Sequence, residues 1–166
     1  YIADGSLDTG FNGTGFVNTA IGDISDEGFA LTQQQDGKLV VAGLSWNANN
    51  NADFALVRYN VDGSLDSGFN GTGKVTTDIS GSDDAAFAVA QQADGKLVAA
   101  GYSGANRDFA LVRYNEDGSL DTTFNSTGMV TTAIGSAADM ALALAVQPDG
   151  KLVVAGSSEG AWISAR

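Results

Sequence analysis

A chain of 166 residues that is 43% hydrophobic and 17% charged can bury the core of one domain and is too apolar to stay disordered. Eight Lys and Arg against 20 Asp and Glu leave a net charge of −12, which argues against nucleic acid and anionic lipid as partners. The absence of His and Cys excludes a Ser-His-Asp triad, a thiol nucleophile, a disulfide and a thiolate zinc site, and leaves carboxylates and oxygen-held hard cations.

No apolar run approaches the ~18 residues of a membrane-spanning helix. The chain does not open on Met, so a processed form or a piece of something longer is expected.

In chain order, the first motif is "DGSLD" at Asp4, followed by "FNGTG" at Phe11 and "VNTAI". Next comes a predicted strand, Phe29 to Gln34, then Asp36-Gly37, then a second strand, Lys38 to Gly43. Asp-Gly between two apolar runs marks a hairpin, because Gly accepts the positive φ the turn needs. After a loop, a third strand is predicted over Phe54 to Asn60 and, beyond a longer turn, a fourth over Lys74 to Ile79. The second and third are nearly continuous apolar runs, as for strands covered on both faces; the fourth alternates, as for an outer strand wetted on one side.

The whole series then repeats. "DGSLD" returns at Asp62 and Asp117, and "DGKLV" stands at Asp36, Asp94 and Asp149, each series stepping by 58 and then 55 residues. "DFALVRYN" occurs at Asp53 and Asp108, and "EGAWISAR" at the end aligns with it, placing Arg166 on Arg58. A period that long indicates a propeller, solenoid or array, and four-stranded units with a buried middle and a polar outer edge indicate β-propeller blades. The expected fold is all-β, with three four-stranded repeats (1–58, 59–113 and 114–166) cut inside the third strand of a blade. Three blades are fewer than the usual four to eight of a closed propeller. The expected partners are therefore further blades of the same protein or another copy of the chain.

Two motifs look like ligand loops. Asn60, Asp62, Gly63 and Asp66 resemble the calcium loop of integrin-type propellers without its first acid, whose place is taken by Arg58, and by Arg113 and Arg166 in the other copies. A guanidinium there supplies the charge an ion would bring, so an Arg–Asp pair and no cofactor are expected, with calcium as the lesser alternative. "NGTG" lacks the following helix that a phosphate loop requires, and packing of the turn accounts for it. Asn12, Asn70 and Asn125 head N-x-T sequons that the same turn explains.

Acids that recur in every copy read as scaffold, so a ligand site is expected where copies differ. They differ before the first strand ("GDISDEG", "GSDDAA", "GSAADM") and between the second and third ("LSWNANNNA", "YSGANR", "SSEGA"), loops that should emerge on one face. Trp46 beside Asn47, Asn49, Asn50 and Asn51 offers an aromatic platform with amide donors and acceptors, suited to a glycan or protein ligand. Tyr102 with Arg107 offers the same more weakly, and Asp83 with Asp84 are the acids eligible for a channel-mouth site.

The unit "FAVAQQADGKLVAAGYS…DFALVRYNEDGSLDTTF" resembles the delta-60 repeat of large bacterial proteins, many of them secreted or surface-anchored. Its strand order is similar to that of NHL-type propellers. The resemblance implies the fold and an extracellular or cell-surface setting, and it carries no catalytic residues. The expected function is non-enzymatic: a binding or scaffolding module presenting variable loops on a rigid disc. A lectin-like propeller, and a lyase or hydrolase using carboxylates or a divalent cation, are the alternatives.

Overall fold

The computed structural model describes residues 1–158 and 160–166. Strands β1 (Asp26–Gln33), β2 (Leu39–Trp46), β3 (Ala52–Tyr59) and β4 (Lys74–Thr77) form one antiparallel sheet in that order. A second sheet repeats the order with β5 (Asp84–Gln91), β6 (Leu97–Ser103), β7 (Asp108–Tyr114) and β8 (Met129–Thr132). The third holds β9 (Asp139–Val146), β10 (Leu152–Ser158) and β11 (Ala161–Ala165). No helix occurs among the described residues. Strand β5 packs against β1, β2 and β3, and β9 against β5, β6 and β7, so each sheet lays its first strand on the preceding one. These are propeller blades.

The hairpins form for the expected reason. Gly37, Gly95 and Gly150 take φ of 85°, 86° and 82°. Asp36, Asp94 and Asp149 each accept the N–H of the following Lys, which closes the turn. The middle strands are buried as their apolar runs require: every residue of β3 and of β6 is covered. Phe54, Leu56, Phe69, Leu97, Val112 and Tyr114 form the main core between the first two blades. A fully buried side chain of this kind contributes about 1.5–3 kcal/mol.

The glycine of "KLVVAG" has a role that the apolar pattern does not reveal. Each first strand bulges opposite it, so that Phe29, Phe87 and Leu142 drop out of register with the second strand. At these points the chains approach so closely that a Cβ on Gly43, Gly101 or Gly156 would stand 1.7–1.8 Å from the carbonyl oxygen of Glu27, Ala85 or Met140. The bulge stacks Phe29 on Phe87, with ring centroids 5.0 Å apart, and Phe87 on Tyr102 at 5.8 Å.

Strand ends differ from expectation by a few residues: β1 begins at Asp26 rather than Phe29, β2 runs on to Trp46, and β4 stops at Thr77. A larger difference concerns "VNTAI", whose counterparts are β4 and β8. Residues 17–21 form no strand, because no third strand lies beside them to accept the ladder. They keep the other contacts of that position, with Thr19 accepting from the Tyr59 hydroxyl at 2.7 Å. The third sheet correspondingly has β11 at its edge.

Candidate functional site

The two motifs that resembled ligand loops are joints. Arg58 Nε donates to Asp66 Oδ2 at 2.7 Å, and Arg113 Nε to Asp121 Oδ2 at the same distance. Each guanidinium covers the ring of its "FN" motif, Phe69 at 4.6 Å and Phe124 at 4.7 Å. Lys38 and Lys96 bring a second cation to the same carboxylates at 3.1 Å. Burial works to raise the Asp66 carboxyl, but the Lys38 and Gly68 hydrogen bonds and the Arg58 charge outweigh it and hold it below its ordinary value. Asp121 is lowered by the Thr123 hydroxyl hydrogen bond first, then by Lys96, the Thr123 N–H and Arg113, against burial. Arg166, the third of the series, is exposed.

"FNGTG" links blade to blade. The Asn70 N–H donates to the Asp117 carbonyl at 2.7 Å, and the Asn12 N–H to the Asp62 carbonyl at 2.6 Å. Both asparagines hold positive φ, near 50°, which aims their amides at the next blade. Tyr114 of the second blade completes the seam, its hydroxyl 2.8 Å from Thr77 Oγ1. Burial pushes that phenol well above its usual range. In the second seam the equivalent Thr132 lines a cavity of about 550 Å³ with Phe109, Leu111, Phe124, Leu152 and Val154. Its lining comes from β7 and β8 of the second blade and β10 and β11 of the third, so the cavity lies at the blade seam.

The variable loops meet at the first seam. Asn51 Nδ2 donates to the Gly81 carbonyl at 3.1 Å, and the Ala52 N–H to Asp83 Oδ1 at 3.1 Å. Asn49 and Asn50 are exposed, and Asn50 takes a φ of 63°. Asn47 is structural: its Oδ1 accepts the Asn49 and Asn51 N–H groups at 2.9 and 3.3 Å, and its Nδ2 donates to Asp53 Oδ2 at 2.9 Å. Trp46 is half-buried against a cluster of Leu44, Ala52, Ala85 and Tyr102, which leaves part of the residue at the surface. Asp83 is exposed. Glu159, in the third of these loops, lies outside the described residues.

Two expected site residues are corrected. Tyr102 is not an exposed platform: its ring is buried under Phe87, with the exposed Arg107 guanidinium 5.0 Å from its centroid. Asp84 is neither copy-specific nor free. It is fully buried and accepts from the Ile79 and Gly104 N–H groups and the Ser80 hydroxyl. Asp26 and Asp139 bind Ile21 and Ile134 in the same way, so this acid closes the link between a fourth strand and the next first strand in every copy.

Sequence reasoning missed Asp53 and Asp78. One carboxylate oxygen from each of Asp53, Asp78 and Asp84 lies within 4.8 Å of the others. Burial pushes the Asp53 carboxyl up; the Asn47 hydrogen bond opposes this, and the charges of Asp78, Asp84 and Asp83 add to it. Asp78 had a legible mark, since its counterparts are Ala20 and Ala133.

Four-stranded antiparallel blades stacked through their first strands, with the repeated acids bound into turns and seams, define a β-propeller. The model of the family described as a domain of unknown function (DUF5122) beta-propeller matches residues 34–69, 92–124 and 147–164, over half of the chain, and the chain belongs to that family. No curated protein matches it.

Proposed function

We propose that the chain is a non-enzymatic binding and scaffolding module that takes a glycan or protein ligand on the face formed by its variable loops. One observation carries this reading. The Trp46–Ala52 and Ser80–Asp83 loops of neighbouring blades are tied together, at Asn51–Gly81 and Ala52–Asp83, so their copy-specific side chains converge on rigid strands. Trp46, Asn49 and Asn50 supply an apolar plane beside free amides, and Asp83 and Arg107 supply charge at the rim.

The setting proposed is the outside of a bacterial cell, on the ground of the delta-60 resemblance. The NHL-type likeness in strand order supports the same disc-like presentation. Further strands and blades, in the same protein or another copy, are proposed at the open edge of β11, since an unpaired edge invites a strand.

The test is binding of the chain to arrayed microbial polysaccharides, host glycans and extracellular-matrix proteins, alongside Trp46→Ala and an Asn49→Ala/Asn50→Ala variant. Retention of at least one ligand, lost in both variants at unchanged melting temperature, is expected. Equal binding by wild type and variants would remove the loop face from consideration.

A further inference from the structure

We propose that Asp53, Asp78 and Asp84 hold a divalent cation of the hard, oxygen-seeking kind, calcium by its tolerance of irregular oxygen ligands, at the seam between the first two blades. Three acids brought together do not by themselves make a site. The second observation is Asp53, which has only 9% of its surface exposed and whose Oδ1 is buried with no hydrogen-bond partner, while Oδ2 is taken by Asn47. A buried carboxylate oxygen facing like charges is costly unless a cation or a proton compensates it.

The geometry selects the ion. The donors are all oxygens, which favours calcium, magnesium or manganese over zinc or copper. Calcium accepts irregular sets of oxygen ligands, whereas magnesium demands a near-ideal octahedron and keeps several of its waters. The three oxygens lie within 4.8 Å of one another, close enough to share one ion, and they come from three separate segments, which suits the more adaptable calcium. Asp78 is exposed and gives the ion a path from solvent.

Position gives the ion a structural consequence. Asp53 is the second residue of β3, Asp78 follows β4 and Asp84 opens β5, so one ion ties the first blade to the second. Through the Asn47–Asp53 hydrogen bond it also tightens the Asn47–Asn51 loop. The other seams lack the site, because alanine replaces Asp78 at Ala20 and Ala133. The proposal is independent of any ligand on the loop face, and it concerns a place different from the Arg58 turn.

The experiment titrates the chelator-stripped chain with calcium chloride in a calorimeter and compares Asp78→Asn with Asp36→Asn. Asparagine at 78 keeps an acceptor for the Gly81 N–H, which Asp78 binds at 2.5 Å, so the turn survives. One calcium per chain is expected, weakened about 10-fold or more in Asp78→Asn and unchanged in Asp36→Asn. Absence of calcium binding by the wild-type chain, equal affinity in Asp78→Asn, or equal weakening by Asp36→Asn would each overturn the proposal, the last by showing only bulk charge.

Discussion

Arg58 Nη1 of the first blade donates to the Glu116 carbonyl of the second at 2.5 Å, while its Nε is bound to Asp66 in its own turn. One guanidinium thus fixes a turn and a seam together. Arg113 makes the turn contact, to Asp121 Oδ2, and its other nitrogen reaches Thr123 Oγ1 within the same turn. Arg58→Ala should therefore cost about 3 kcal/mol, clearly more than Arg113→Ala. Arg58→Lys should not rescue it, since an ammonium cannot serve both acceptors in that fork. Equal losses at the two sites, read by chemical denaturation, would break the link between this residue and the seam.

The bulges make a sharper prediction. Gly101→Ala puts a methyl 1.8 Å from the Ala85 carbonyl, a backbone atom that cannot step aside, so the second blade should lose its first-strand pairing and the chain should not fold stably. Gly81→Ala, at a φ of 71° but in open space, should cost only about 1 kcal/mol. Gly95→Val lies between them, at about 1–3 kcal/mol for strained backbone. An unchanged melting temperature for Gly95→Val would contradict the hairpin.

Much of this architecture was legible beforehand. Asp36-Gly37 and its copies gave both turn and strand order, because a short turn acts locally and depends only on its own backbone. The apolar runs gave the covered middle strands. Gly101 read as a strand residue with no special purpose, because the close approach it permits involves Ala85, a partner known only from the register. The same limit hid the burial of Tyr102, which depends on a bulge that re-aims Phe87. Asp84 was misplaced as copy-specific, although Asp26 and Asp139 stand in its place; variable neighbours obscured the alignment. The cage of Asp53, Asp78 and Asp84 joins residues from three strands' ends, and sequence showed only that Asp78 differs from Ala20 and Ala133.

Acid should weaken the fold in a defined window. Asp66 and Asp121 titrate below their ordinary value when folded, so the stability they contribute is complete above a pH of about 4, the unfolded value, and is lost as pH falls through the lower folded values. Asp62 and Asp117, lowered by the Ser64 and Ser119 hydrogen bonds, add to the same limb. Melting temperature should fall below pH ~4, and Asp121→Asn should make that fall shallower. An identical acid limb in Asp121→Asn would remove it from the account.

Tyr114→Phe deletes a buried hydroxyl and orphans Thr77 Oγ1, at about 1–2 kcal/mol. Tyr59→Phe should cost less, because its partner Thr19 lies in a segment without strand pairing. The order of the two melting temperatures checks this.

Sedimentation addresses the open edge. The chain weighs 16.9 kDa, and a heavier particle is expected as β11 finds a strand to pair with. A well-folded monomer at micromolar concentration would sink the proposal of further blades at that edge.

The seam contacts pair the same residue types at successive joints: Asn12 with Asp62 and Asn70 with Asp117, Tyr59 with Thr19 and Tyr114 with Thr77. Each unit thus carries both halves of one connector, like couplings between railway carriages. A whole unit duplicated or deleted in the gene leaves every remaining joint matched, so such a chain can change length in single steps without passing through a misfolded intermediate. Copy-specific residues such as Asp78 can then diverge on one carriage while the couplings stay common to all.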